Sequence, residues 1–148
     1  MLALKIPPPV IFAVTAVSMF ALSGFHFQID LWLFVLSGFV WFVALGVAVS
    51  AILSFTQSKT TVNPHQPDKS TALVVTGVFH YSRNPMYLSL AMILLGWAIL
   101  LNTFWVFLPI VFFVLYLTYF QIKPEEAILA GKFGEDYQGY CCRVRRWI

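Results

Sequence analysis

A chain of 148 residues that is 60% hydrophobic, 18% aromatic and only 10% charged has too little polar side chain to surround a soluble core. Its apolar surplus must face lipid or another subunit, which predicts an integral membrane protein. The formal charge of +3 suits anionic headgroups, and no nucleic-acid partner is expected.

The predicted fold is all-α: one polytopic domain over residues 1–148 with about four transmembrane helices and a C-terminal interfacial helical segment. A span needs roughly 20 residues to cross about 30 Å of hydrocarbon, with shorter or tilted cases allowed. The expected spans are about residues 8–26, 31–55, 84–101 and 104–122, with a connector at 56–83 and a tail at 123–148.

Lys5 and the prolines Pro7, Pro8 and Pro9 precede the first apolar run. The pattern imitates a signal peptide, but no convincing small-residue cleavage site follows, so the first helix is expected to stay in the fold and to start at the prolines. The second span carries Ala44, Ala48 and Ala51 with Gly46 and Ser50. Small residues let helices approach closely in lipid, so this span is expected to pack centrally.

Residues 56–76 form the one long polar stretch between spans, and Asn63-Pro64 and Gln66-Pro67 disfavour continuous helix there. Leu73-Val74-Val75 would insert near the headgroups, and the connector is expected to fold back over a site. Asn84 and Pro85 open the third span as capping residue and first helical proline. Only Asn102 and Thr103 separate the third and fourth spans, which forces an antiparallel hairpin in which Thr103 would cap the fourth helix. Pro109 is expected to bend that helix.

Lys5, Lys59, Lys69, Arg83, Lys123, Lys132, Arg143, Arg145 and Arg146 all fall on the side of the two termini in this arrangement. The opposite loops, at His26–Asp30 and Asn102-Thr103, carry no Lys or Arg. The positive-inside rule therefore places both termini in the cytoplasm. There the adjacent Cys141 and Cys142 are expected as thiols, inert unless acylated or otherwise functional, and not as a disulfide.

In the tail, at 100° per residue from Glu126, the residues Leu129, Ala130, Phe133, Tyr137 and Tyr140 lie within about 60° of it, while Glu125, Lys132, Glu135, Asp136 and Arg143 lie outside. One carboxylate thus shares the inward face, where it needs partners or a function. Gly131, Gly134 and Gly139 weaken a continuous helix. The hairpin brings His80, Tyr81, Arg83, Asn84 and Tyr87, before the third span, near Glu126, Tyr137 and Arg143, after the fourth. Plainer roles exist for each: Arg83 could snorkel to phosphates, and Tyr81, Tyr87, Tyr137, Tyr140 and Trp147 could form an interfacial aromatic belt. There is no dinucleotide or Walker-type glycine loop, no HExxH motif and no dense Cys/His/Asp cluster, so no metal site is expected.

The stretches "TGVFHYSRNPMYLSL" and "KPEEAILAGKFGEDYQGYCCRVRRWI" resemble the membrane methyltransferases grouped around isoprenylcysteine carboxyl methyltransferase and the phospholipid N-methyltransferases. The matching residues are Gly77, Arg83, Asn84, Pro85, Tyr87, Glu125, Glu126, Phe133, Gly134, Tyr137, Tyr140, Arg143 and Val144, within a resemblance covering about residues 70–148. It implies S-adenosyl-L-methionine bound at the cytoplasmic face and a lipid-like or isoprenoid acceptor, a carboxylate or an amine, arriving from the bilayer. The implied catalytic residues are Glu126, Arg143 and Arg83. The implied cofactor-binding residues are His80, Tyr81, Arg83, Asn84, Tyr87, Glu126 and Tyr137, with Glu126 holding the cofactor amino group or Arg143.

Arg-Asn-Pro stands where the carboxyl methyltransferase branch has Arg-His-Pro, and "RVRRWI" replaces its longer ending, which sets a small lipid beside a prenylated protein as acceptor. The alternatives are an NADPH-dependent reductase of an isoprenoid or sterol-like lipid, and a non-enzymatic transporter subunit or packing partner. Membrane lipids are the expected surroundings of a monomer or small homo-oligomer.

Overall fold

The computed structural model describes residues 6–25, 30–57 and 73–148, and all regular structure among them is helical. Helix α1 is Pro8–Leu22 and starts at the prolines, with Pro7 in the capping position. In it, the Thr15 and Ser18 hydroxyls donate to the carbonyls of Ile11 and Thr15. Helix α2 is Leu31–Gln57, and the Asp30 carboxylate accepts from the Trp32 N–H in its first turn.

Helix α2 is peripheral, where its small residues had suggested a central place. Ala44 and Ala51 are fully buried, but Phe39, Phe42, Leu45 and Ile52 are exposed, so only one stripe has a protein partner. Its partners are α3, Pro85–Leu101, and, at its C-terminal end, the turn at Gly77–His80. The Trp41 indole lies against Gly96 and donates to the Ile93 carbonyl at 3.0 Å. Helix α3 is the central element, touching α1, α2 and α4. It buries Leu94, Ala98, Leu100 and Leu101, residues that do not share a single face.

Asn102 turns the chain after α3 in the left-handed conformation (φ 43°, ψ 40°), its N–H bonded to the Ala98 and Ile99 carbonyls. Thr103 precedes the next helix, but its hydroxyl donates back to the Leu101 carbonyl and caps nothing. A 3-10 turn at Phe104–Val106 leads into α4, Phe107–Tyr116. Pro109 therefore sits in the first turn of α4, where N–H groups have no intrahelical partner, and no bend is needed.

A π-helical segment, Leu117–Ile122, joins α4 to α5, Lys123–Arg143. It ends just before Pro124, which brings no N–H for the regular ladder. The tail follows the preceding helix without a break at Lys123 and runs on to Gly134, where non-helical backbone kinks it before it continues to Arg143. Of its three glycines only Gly134 leaves helical geometry, at φ 52° and ψ −124°, a conformation that disfavours a β-carbon.

Helices Leu31–Gln57 and Phe104–Arg143 are long and apolar enough to cross a membrane, while Pro8–Leu22 and Pro85–Leu101 are apolar but shorter, at 15 and 17 residues. The polar part from Lys123 onward lies beyond the apolar stretch that ends at Ile122.

Candidate functional site where α3 meets α5 and the C-terminal segment

Three short pieces of chain converge on the start of α3. Gly77–His80 forms a 3-10 turn whose first residue has φ +63° and lies so close to α2 that a β-carbon would meet the Ser54 hydroxyl at 2.7 Å. Phe79 in this turn packs with Ala51 and Val74, and its carbonyl accepts from the buried Tyr140 hydroxyl at 2.6 Å. Leu73 and Val75 pack against Tyr137, Tyr140 and Val144. The end of the connector thus lies on the inward face of α5; residues 58–72, expected to fold over the site, lie outside the described residues.

Val144 leaves α5 in extended conformation (φ −123°, ψ 132°), and the last residues run back across α3. The Arg145 carbonyl accepts from the Arg83 N–H at 3.1 Å, and the Arg146 carbonyl from Asn84 Nδ2 at 2.9 Å. The Trp147 indole donates to the Thr118 hydroxyl at 3.1 Å. Asn84 holds the capping position of α3 without a side-chain cap, because its amide is committed to this strap.

Glu126 is the hub. Arg146 Nε and Nη2 lie 3.0 and 2.7 Å from its two oxygens, and Arg83 Nη2 lies 3.4 Å from Oε1. The carboxylate holds the Arg146 guanidinium above its ordinary pKa, mainly through these hydrogen bonds. Arg83 also donates to the Cys141 thiol, which makes Cys141 part of the cluster while Cys142 is exposed. Arg83 Nε is buried and has no hydrogen-bond partner among the described residues. Tyr137 lies against the same groups, and burial pushes its phenol up, with the nearby Glu126 charge adding to the effect.

The structure therefore gathers Arg83, Asn84, Glu126 and Tyr137. His80 and Tyr81 stand beside the cluster, both exposed, with rings edge-to-face at 5.6 Å. Arg143 is exposed and donates to the Gly139 carbonyl of its own helix at 3.3 Å. The arginine that meets Glu126 is Arg146, because the chain turns back after Val144 and carries Arg146 over the cluster. Tyr87 is buried, and its hydroxyl donates to Glu125 at 2.7 Å.

Glu125 is the residue that sequence reasoning placed on the wrong face. Gln121 Nε2 donates to the same oxygen, Oε1, at 2.6 Å, while Oε2 has no hydrogen bond among the described residues. Burial pushes the Glu125 carboxyl up to about 7, an effect the two donors only partly oppose. The available signal was the series Phe113, Leu117, Gln121, Glu125. In a regular α-helix such a series rotates by about 40° per step. The wider π turns between 117 and 122 hold it on one face, so Glu125 follows the buried Leu117 and Gln121. Among the described residues no group of His, Cys, Asp and Glu could hold a metal ion.

The family model for phospholipid methyltransferases matches residues 31–136, which takes in α2, α3 and most of the last helix. An uncharacterized protein of Haemophilus influenzae is 44% identical over 63 residues, 43% of this chain and the whole of that protein. No solved structure matches the chain.

Proposed function

Because this chain belongs to the phospholipid methyltransferase family, whose members transfer methyl groups to lipid-like substrates, we propose that it is an S-adenosyl-L-methionine-dependent methyltransferase working at the cytoplasmic membrane face. In this reading residues 1–148 form one domain, the short helices α1 and α3 cross the membrane with α2 and the apolar part of the last helix, and both termini are cytoplasmic. The basic residues on one side support that orientation.

The observation that carries the reading is the unbalanced charge around Glu126. Arg83 and Arg146 face one carboxylate, and the buried Nε of Arg83 has no partner among the described residues. A carboxylate is the group these two facts fit, and S-adenosyl-L-methionine carries one beside its ammonium. Arg83 would hold the carboxylate. Glu126 offers about four lone-pair positions, of which three contacts are accounted for, and would use the fourth for the ammonium. Tyr137, with His80 and Tyr81 at the rim, would wall the adenosine.

The bound cofactor supplies an electrophilic methyl group on a sulfonium that leaves readily. The chain's task is then alignment, desolvation and, for an amine acceptor, removal of one proton. Glu126 is taken by two guanidiniums, so Glu125 is the better proton acceptor, through its unbonded Oε2. A carboxylate acceptor needs no base and would instead be oriented by an arginine.

The test is label transfer. Purified protein in nanodiscs is supplied with methyl-labelled S-adenosyl-L-methionine and either phosphatidylethanolamine or an isoprenoid carboxylic acid. Label entering one of the lipids supports the reading and identifies the acceptor type. Label entering neither, nor any lipid of a total membrane extract, would oppose it.

A further inference from the structure

Glu125 meets two donors at one atom. The Tyr87 hydroxyl, from α3, and Gln121 Nε2, from the π segment, lie 2.7 and 2.6 Å from Oε1, and Oε2 has no hydrogen bond among the described residues. Both donors are held inside the protein, Gln121 at 1% exposure and Tyr87 at 6%. Glu125 itself is only half-buried, so Oε2 is the oxygen that an arriving group can reach. The guanidiniums of Arg83 and Arg146 face Glu126 instead.

Lone pairs decide what this asymmetry does. A carboxylate oxygen has about two of them, and on Oε1 the two donors take both. A proton arriving on Oε1 would displace one donor and leave a buried N–H or O–H without a partner, which is costly. A proton on Oε2 displaces neither. The titratable groups around the carboxyl are Tyr87 on α3 and Glu126 on its own helix, whose charge opposes ionisation. Burial pushes the carboxyl up to about 7, and the bonds from Tyr87 and Gln121 pull it down.

We propose that Tyr87 and Gln121 are positioning residues for proton transfer: by filling Oε1 they direct the proton of Glu125 to Oε2 and fix that oxygen as the one that exchanges it. The transfer balances within one pair of groups. A nitrogen–hydrogen bond of the incoming amine breaks, an oxygen–hydrogen bond forms at Oε2, and the nitrogen keeps the electron pair. This deepens the methyl-transfer reading and rests on it for the source of the proton; which oxygen carries the proton is a property of the chain alone. Tyr87 thereby leaves the cofactor wall, where the sequence resemblance had set it.

Infrared difference spectra of the full chain in nanodiscs, with glutamates isotope-labelled at the carboxyl carbon, read the protonated Glu125 from about pH 5 to 10 without any cofactor. The band is assigned by its loss in Glu125→Gln. The wild-type carbonyl stretch is expected at low frequency, as for a C=O that accepts two hydrogen bonds. Tyr87→Phe and Gln121→Met should each raise that frequency and move the titration midpoint up by about one pH unit, as for one hydrogen bond to a charged group. Tyr140→Phe, which loosens the fold by losing its bond to the Phe79 carbonyl, should leave band and midpoint as in wild type. Methyl transfer by the variants should then rise with pH through the shifted midpoints, because the ionised carboxylate is the form that takes the proton. A wild-type band at the frequency of a free carbonyl, or a midpoint unmoved in both variants, would overturn the proposal even where methyl transfer is found. The expected band and shifts support it, and absence of methyl transfer beside them would count against the methyl-transfer reading alone.

Discussion

One guanidinium spans the Glu126 carboxylate: Arg146 Nε and Nη2 lie 3.0 and 2.7 Å from its two oxygens. The two-point contact ties the C-terminal segment to α5 at the residue proposed to meet the cofactor. A lysine keeps the charge but not the fork. Arg146→Lys is expected to lower kcat/KM for methyl transfer about tenfold, the equivalent of about 1.4 kcal/mol. Arg143→Ala, at an exposed residue, should stay within about twofold, the scale of a surface change. The reverse order in the same assay would return Arg143 to the site.

Asn84 separates two roles that look alike in sequence. A capping role would be kept by Asp, which also accepts from backbone N–H groups. In the structure the side chain donates to the Arg146 carbonyl, which Asp cannot do. Asn84→Asp should therefore lower the thermal midpoint at least as much as Asn84→Ala, with each change costing about 1 kcal/mol. A wild-type midpoint for Asn84→Asp would show that the cap, not the strap, is what matters.

Burial raises the Glu125 carboxyl from 4.5 to about 7. The folded protein then holds the proton more tightly than the unfolded chain. This contribution to stability is complete below about pH 4.5 and is lost as pH rises through 7. Glu125→Gln keeps the shape without the charge. The thermal midpoint in detergent should fall between pH 5 and 8 more steeply for wild type than for Glu125→Gln, and parallel curves would contradict the assignment.

Much of this was legible in the sequence, and the parts that were not have local causes. Asn102 and Thr103 leave no option but a hairpin, and the apolar face of Leu129, Ala130, Phe133, Tyr137 and Tyr140 emerges from simple helical angles; the structure has both. Glu125 escaped because the angle count from Glu126 followed a single face of α5, whereas Glu125 lies on another face, beside Gln121 of the π segment and opposite Tyr87. Arg146 escaped because its position depends on the chain reversing after Val144, which periodicity cannot report. The peripheral place of α2 escaped because a stripe of alanines shows that one partner is close and says nothing about the other faces.

The turn before α3 depends on two residues that do no chemistry. Gly77 has φ +63° with the Ser54 hydroxyl where a β-carbon would be, and the Tyr140 hydroxyl holds the Phe79 carbonyl. Gly77→Ala should cost more than about 1 kcal/mol through strain, and Tyr140→Phe about 1 kcal/mol through the lost bond. Both should lower the thermal midpoint in detergent. An unchanged midpoint for Gly77→Ala would mean that the turn relaxes freely.

The most direct measurement is calorimetric titration of S-adenosyl-L-methionine into the protein in lipid nanodiscs, for wild type, Arg83→Ala and Glu126→Gln, with folding checked in each. Saturable binding by wild type, weakened about tenfold or more by either change as for a charged hydrogen bond lost from a partly buried site, is the predicted result. Folded wild-type protein that takes up no S-adenosyl-L-methionine, or variants that bind it as well as wild type does, would contradict the placement of the cofactor at Arg83 and Glu126.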